Sequence, residues 1–129
     1  QKVIEMDNTN AEAFYYQGLC EKIAGSYEEA IKYYNKAIDL DPNNSETYSA
    51  RAIANYFSGN DTAAMLDINK SIELDKDNAV AYFNLGNFNY FEDDLNNACI
   101  NWSIASKLKY TDADLYIKKY CTNQITGEK

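Results

Sequence analysis

Small, bulky and aromatic residues recur along the chain with a spacing of 34 residues. One column of small residues consists of Gly18, Ala52 and Gly86, and a column of alanines consists of Ala30, Ala64 and Ala98. Bulky residues follow these alanines by four positions, at Tyr34, Ile68 and Trp102. Aromatic residues form another column at Phe14, Tyr48, Tyr82 and Tyr116. A constant period of this length indicates a repeated supersecondary unit.

Within each period, apolar residues fall three or four positions apart, which predicts two amphipathic helices. In the first period the helices are separated by Gly25 and Ser26, a helix-ending glycine followed by a serine suited to cap the next helix. Ser26 and Glu29 form a capping-box pattern. We expect the second helix to end before Pro42, because the residue preceding a proline disfavours helical geometry.

The turns differ between the periods. Gly59 and Asn60 form the inner turn of the second period, whereas the third has Asp93 and Asp94 and must close without glycine. We therefore expect the third inner turn to be the loosest. The proline of the first outer turn is replaced by Lys76 and Tyr110 in the later periods, so we expect helix capping alone to hold those turns.

The alternation of small and large columns has a mechanical explanation. Small residues on both helices allow the two helices of a pair to approach closely, and the bulky residues fill the space beside them. A single pair of such short helices cannot bury its apolar face, so neighbouring pairs must complete the core. The sequence thus predicts an all-α protein of stacked antiparallel helix pairs.

These columns resemble the tetratricopeptide repeat, whose pattern is W-x2-L-G-x2-Y…A-x3-F…P. The matching segments are Phe14-x2-Gln17-Gly18…Ala30-x3-Tyr34…Pro42, Tyr48-x2-Arg51-Ala52…Ala64-x3-Ile68 and Tyr82-x2-Leu85-Gly86…Ala98-x3-Trp102. The resemblance implies a right-handed α-solenoid with three full repeats at 11–44, 45–78 and 79–112. Residues 1–10 would then end the second helix of a preceding repeat, and 113–129 would form a terminal capping helix and tail.

The resemblance also implies that the first helices of successive repeats line a concave groove that binds peptides or protein segments. The family's tyrosine, three residues after the small position, is absent, while Tyr56 and Tyr90 lie one residue later and are expected to point into the groove. The groove candidates, taken at three- and four-residue spacing, are Glu12, Tyr15, Leu19, Lys22, Glu46, Ser49, Ile53, Tyr56, Val80, Phe83, Asn87 and Tyr90. Leu19, Ile53 and Phe83 could equally pack against neighbouring helices.

One specific activity of the family can be compared with the residues. Chaperone-binding members hold a C-terminal carboxylate with lysine, asparagine and arginine on the first helices. The corresponding positions are occupied by Tyr15, Leu19, Ala50, Val80 and Asn84. Because none of these side chains is a cation, we expect the chain not to be a carboxylate-clamp chaperone adaptor.

Composition narrows the possible partners. The 129 residues include twelve Lys plus Arg and twenty Asp plus Glu, which gives a formal net charge of -8. This balance argues against binding to nucleic-acid phosphates and against adsorption on anionic membranes. No apolar run approaches the roughly 20 residues that a membrane helix needs. We expect a protein or peptide partner, without nucleic acid and without membrane insertion.

The sequence offers little for catalysis or metal binding. It contains no histidine, the commonest general base and the commonest metal ligand. Carboxylates such as those of Glu28 and Glu29 lie at expected helix ends, where they complement the helix dipole. We therefore expect no enzymatic activity, no catalytic residues, no cofactor and no metal.

Cys20, Cys99 and Cys121 are an odd number of widely spaced cysteines, without a C-x-x-C pair. A disulfide-stapled secreted domain would be expected to have an even number at closer spacing. We expect buried, reduced thiols, which favours the cytoplasm, although the sequence does not identify a compartment.

Two functions of different classes remain. In the first, the chain is a protein-interaction module whose groove binds a segment of another protein. In the second, it is a structural spacer or self-association segment of a longer repeat protein, with contacts through the ends of the stack at Val3, Met6, Tyr116 and Tyr120. Mutations in the groove should impair only the first function, whereas concentration-dependent mass would indicate the second.

Overall fold

The computed structural model describes the backbone of residues 2–121 and the side chains of residues 10–121. Seven helices account for most of this described part. They are α1 (Lys2–Ile23), α2 (Tyr27–Leu40), α3 (Ser45–Phe57), α4 (Asp61–Leu74), α5 (Ala79–Phe91), α6 (Leu95–Lys107) and α7 (Asp112–Tyr120). None of them combines the length and apolar character needed to cross a membrane.

The chain divides into two compact units, Gln1–Asp75 and Lys76–Lys129. In the N-terminal unit, α1 pairs with α2, α3 pairs with α4, and α2 packs against α3. In the C-terminal unit, α5 pairs with α6, and α6 packs against α7. Sequential antiparallel pairing of helices confirms the all-α fold class predicted from the 34-residue period.

The small and bulky columns meet within the helix pairs. A Cβ atom added to Gly18 would lie 2.4 Å from the ring of Tyr34, and one added to Gly86 would lie 2.5 Å from the ring of Trp102. Tyr34, Ile68 and Trp102 are fully buried. The columns therefore act as predicted, because a missing or minimal side chain on the first helix makes room for the large side chain on the second.

The three inner turns share one hydrogen-bond pattern. In each, a residue with positive φ follows the first helix: Gly25 at 85°, Gly59 at 94° and Asp93 at 64°. The next amide then donates back to a carbonyl of the first helix, as Ser26 to Glu21, Asn60 to Asn55 and Asp94 to Asn89, each at 2.8 Å. This is the Schellman arrangement. The expectation of a looser third turn is wrong, because Asp93 adopts the left-handed conformation that glycine adopts in the other two.

The helix caps agree only in part with expectation. The side chains of Asn44, Asn60, Asn78 and Asp94 each accept a hydrogen bond from an amide in the first turn of the next helix. Ser26 makes no side-chain cap, so the predicted capping box is absent. Of the two outer turns that lack proline, the one before α5 is capped by Asn78, whereas Thr111 forms no side-chain cap for α7.

The ends of the chain differ from the proposed repeat boundaries. Helix α1 runs through Lys2–Ile23 without a break near residue 11, where a separate preceding helix was expected to end. The side chains of Val3 and Met6, named above as one end of the stack, lie outside the described residues. So do residues 122–129 of the predicted tail.

The cysteines contradict the sequence-based expectation. Cys99 on α6 and Cys121 at the end of α7 form a disulfide, with their Cα atoms 5.8 Å apart. Cys20 is a free thiol, but it is exposed rather than buried. The packing of α7 on α6 brings two cysteines together that are 22 residues apart in sequence. The expectation of reduced thiols is therefore wrong for Cys99 and Cys121, and the expectation of burial is wrong for Cys20.

Candidate functional site

The first helix of the N-terminal unit presents four of the groove candidates. Glu12 is exposed, and Tyr15, Leu19 and Lys22 are half-buried. Tyr15 and Leu19 pack against a core cluster that includes Tyr34. These two side chains therefore contribute to the core and keep part of their surface available.

The next first helix, α3, presents three further candidates. Glu46 is exposed, and Ile53 and Tyr56 are half-buried. Ser49 is only 3% exposed, and its hydroxyl shares a 2.5 Å hydrogen bond with the hydroxyl of Ser71 on α4. Ser49 therefore joins α3 to α4 and does not belong to the candidate face, which corrects its assignment from helical spacing.

Electrostatic interactions connect the side chains of α1 and α3. Burial raises the pKa of the Tyr15 hydroxyl, and the carboxylate of Glu46 raises it further. Burial also lowers the pKa of Lys22. Glu12 is near the middle of α1 and Lys22 is in its last turn, so opposite charges lie along one helix. The face of the N-terminal unit therefore carries carboxylates toward one end and an ammonium group toward the other.

A buried ion pair fixes α3 against α4 behind this face. The Arg51 guanidinium donates from Nε to Asp67 at 2.9 Å and from a terminal nitrogen to the other carboxylate oxygen at 2.8 Å. The amide of Asn55 donates to the same carboxylate at 2.8 Å. This hydrogen bonding raises the pKa of Arg51. Because the carboxylate is satisfied by three donors, α3 holds Ile53 and Tyr56 at a defined rotation.

The C-terminal unit presents the remaining candidates on α5. Val80 is 40% exposed and Tyr90 is 37% exposed, while Phe83 and Asn87 are half-buried. The amide oxygen of Asn87 accepts a 3.0 Å hydrogen bond from Nε1 of Trp102. This bond ties the amide oxygen of Asn87 on α5 to Trp102 on α6.

Aromatic packing surrounds two of these residues. The ring of Phe83 lies 4.9 Å from that of Tyr110 and 5.1 Å from that of Tyr116. The ring of Tyr90 lies 4.7 Å from that of Tyr120. Phe83 is therefore largely a packing residue, whereas Tyr90 and Val80 retain the larger exposed surfaces.

These side chains are suited to noncovalent binding. Aromatic rings and aliphatic groups supply apolar surface, and Glu12, Glu46 and Lys22 supply charge. Within the described residues, no three histidine, cysteine or acidic side chains come together as a metal site. Helical spacing alone could not separate Ser49, which turns toward α4, from its neighbours, and the remaining residues of the face stay a prediction.

The repeat pattern matches a known family in sequence. Residues 11–44, which run from the middle of α1 through α2, match the sequence profile described as the tetratricopeptide repeat. Residues 11–44 are a tetratricopeptide repeat. No curated protein sequence matches this chain.

Solved tetratricopeptide-repeat domains share its fold. The Arabidopsis OM64 TPR domain is 22% identical with a TM-score of 0.80, and the match covers 88% of this chain and 96% of that domain. The first TPR domain of the human RPAP3 protein is 24% identical with a TM-score of 0.80, covering 91% and 94%. The first TPR of Spaghetti (RPAP3), bound to the HSP90 peptide SRMEEVD, is 23% identical with a TM-score of 0.82, covering 92% and 98%.

Proposed function

We propose that the chain is a protein-interaction module and that the first helices α1 and α3 form the surface that binds a segment of another protein. One observation carries this proposal: half-buried Tyr15, Ile53 and Tyr56 lie on the first helices of a tetratricopeptide-repeat fold. A half-buried ring or branched side chain already has restricted motion, so covering it costs little conformational entropy and removes apolar surface from water.

The charges of this face favour a directional ligand. Glu12 and Glu46 are exposed carboxylates, and Lys22 is an ammonium group farther along α1. A bound segment would place basic side chains near the carboxylates and acidic side chains near Lys22. We expect the apolar contacts to supply most of the affinity and the charges to set the orientation and the rate of association. Val80 and Tyr90 form the corresponding surface of the C-terminal unit.

The mode of binding is the finer part of the proposal. Two tetratricopeptide-repeat domains with this fold are bound to the HSP90 peptide SRMEEVD, so the comparisons do not support excluding a chaperone peptide as a ligand. We propose that any such ligand is held along its length rather than by its terminal carboxylate. This is supported by the side chains at the five positions where clamp members carry polar and cationic groups, which are Tyr15, Leu19, Ala50, Val80 and Asn84.

Substitutions on α3 test the binding face. Peptides selected from a phage-displayed random library on the wild-type chain should lose at least about tenfold in affinity on Tyr56→Ala, because a buried aromatic anchor is typical of a binding hot spot. Leu66→Ala is the control, since Leu66 is 66% exposed and lies on α4, outside the candidate face. Equal affinity of both variants for the selected peptides, measured by fluorescence anisotropy, would contradict the proposal.

A second experiment tests the mode of binding. The peptide SRMEEVD is compared with the same peptide carrying a C-terminal amide, each labelled at its N-terminus. Capture by a carboxylate clamp would make the amide much weaker. We expect the two peptides to have the same dissociation constant, within about twofold, or neither to bind. A tenfold or larger preference for the free carboxylate would show that other cations of the chain form a clamp.

Self-association is a second candidate function, favoured by the exposure of α7. Leu115 is 69% exposed and Tyr116 is 38% exposed on this helix. If these residues join two copies of the chain, sedimentation equilibrium should give a mass that rises with concentration. Leu115→Ser should then restore the monomer mass. A constant monomer mass up to high concentration would reject this function.

A further inference from the structure

A surface cavity lies beside the third inner turn, at the end of α5. Its volume is about 440 Å³, and its described lining residues are Tyr90, Phe91, Asp93 and Leu95. Phe91 is 50% exposed and Tyr90 is 37% exposed. Two aromatic residues, a leucine and an aspartate thus line one concavity.

The aspartate of this cavity, Asp93, occupies a position where the other two repeats have glycine. Asp93 occupies the column of Gly25 and Gly59, and it adopts a φ of 64°, a conformation that aspartate tolerates better than most residues with a Cβ atom. The turn hydrogen bonds are the same in all three repeats, so the turn itself does not require an aspartate. The aspartate side chain is therefore a feature of the third repeat that the turn itself does not require.

The charge of Asp93 is uncompensated within the described residues. Their ion pairs are Lys32 with Glu29, Arg51 with Asp67, and Lys70 with Glu73, none of which includes Asp93. A hydrogen bond with Tyr120 raises the pKa of Tyr90, and the carboxylate of Asp93 raises it further. The negative charge therefore acts on the cavity wall, in a chain whose formal net charge is -8.

We propose that this cavity binds an arginine or lysine side chain presented by a partner protein. The cationic head would lie against the face of an aromatic ring and pair with the carboxylate of Asp93, while the methylene groups of its stem would contact Leu95 and Phe91. A cation is the complementary ligand because both the ring faces and the carboxylate attract positive charge. Guanidinium fits best, since its planar group can stack on a ring and form two hydrogen bonds to a carboxylate.

This proposal is separate from the binding surface on α1 and α3. It concerns a single side chain at the end of α5, and it can be tested with a small molecule that is too short to cover a groove. Failure of the Tyr56→Ala experiment would leave it standing, and its own failure would leave the proposed binding face unaffected.

The probe is N-acetyl-arginine amide, titrated into the ¹⁵N-labelled chain and followed by NMR. N-acetyl-citrulline amide is the matched neutral probe, because it replaces the guanidinium with a urea group of nearly the same shape. We expect saturable shifts of the backbone amides between residues 90 and 95 with arginine, and at least fivefold weaker binding with citrulline. Equal binding of the two probes, or arginine shifts confined to other residues, would overturn the proposal.

Two substitutions of Asp93 separate charge from folding. Asp93→Asn removes the charge while keeping a residue type that tolerates positive φ. Asp93→Gly restores the residue of the other two turns, so it should raise the melting temperature while weakening arginine binding at least fivefold. Asp61→Asn is the matched control, since Asp61 is an exposed acid beside the second inner turn. Unchanged arginine affinity in Asp93→Asn would overturn the proposal, whatever the stability of the glycine variant.

Discussion

The close approach of α5 and α6 makes Gly86 a sensitive position for a single added methyl group. A Cβ atom there would lie 2.5 Å from Cδ1 and 2.6 Å from Nε1 of Trp102, and 3.1 Å from the carbonyl oxygen of Ala98. Trp102 cannot move away easily, because it is fully buried and its Nε1 is hydrogen bonded to Asn87. Its ring is also in contact with those of neighbouring tyrosines, including Tyr116 at 5.3 Å.

The sign of the effect of Gly86→Ala distinguishes steric conflict from helix propensity. In an exposed helix interior, replacing glycine with alanine stabilises by about 1 kcal/mol. Overpacking a closely packed core costs typically about 1–3 kcal/mol, and contacts as short as these place the cost at the upper end. We expect a net loss of about 2 kcal/mol in the free energy of unfolding, and a melting temperature lower by roughly 6–10 °C.

Urea unfolding followed by circular dichroism measures this loss, and the second repeat supplies the controls. Ala52 and Ile68 occupy the positions of Gly86 and Trp102. Ala52→Gly should therefore destabilise, by about 1 kcal/mol from helix propensity alone. The double variant Gly86→Ala with Trp102→Ile copies the second repeat, and its cost should be at least about 1 kcal/mol smaller than the sum of its single variants. Wild-type or higher stability of Gly86→Ala, or additive single variants, would refute the reasoning.

Three further predictions use the same unfolding measurement. Asp67→Ala leaves the guanidinium of Arg51, whose side chain is 24% exposed, without its carboxylate and should cost about 3 kcal/mol, whereas a loss below about 1 kcal/mol would mean that the pair is dispensable. Cys121→Ser removes a disulfide across 22 residues and should cost about 3 kcal/mol, with two thiols reacting with Ellman's reagent rather than one. Asn60→Ala should cost about 1 kcal/mol, whereas Ser26→Ala should have almost no effect, because only Asn60 forms a side-chain cap; equal losses would contradict this.

The helices and their pairing could be predicted from the sequence because the determining information is periodic. A residue of the Gly18 column is expected to face a residue of the Tyr34 column within each repeat. The 34-residue spacing predicts this contact three times. A register error in one repeat would conflict with the other two. The helix boundaries at Gly25 and Gly59 were equally readable, since positive φ at these positions is a local property of glycine.

The capping box predicted at Ser26 is absent, although its backbone angles are similar to those of two residues that do cap. Ser26, Asn60 and Asp94 all end a Schellman turn and begin the next helix with similar backbone angles. Asn60 and Asp94 bond the amide three residues ahead, and their side-chain oxygens are one covalent bond farther from Cβ than the oxygen of serine. The sequence pattern of a capping box specifies residue types only. It does not specify that the same residue must also end the preceding turn.

The disulfide could not be predicted because its determinant is the packing of α7 on α6. Cys99 lies within the second helix of a pair, and Cys121 follows the last described helix. Only the direction in which α7 returns along α6 brings them within bonding distance. Similarly, the rotation of Ser49 toward α4 depends on its partner Ser71, which a single-helix pattern does not include.

Residues that depart from the repeat columns give this chain features that the repeat pattern alone does not predict. Asp93 stands in a glycine column, and there the chain gains a charged cavity wall. Tyr120 stands 34 residues after Gly86, in the column of small residues, and its ring packs 4.7 Å from that of Tyr90. Exceptions to a repeat therefore require individual explanation once the period has accounted for the fold.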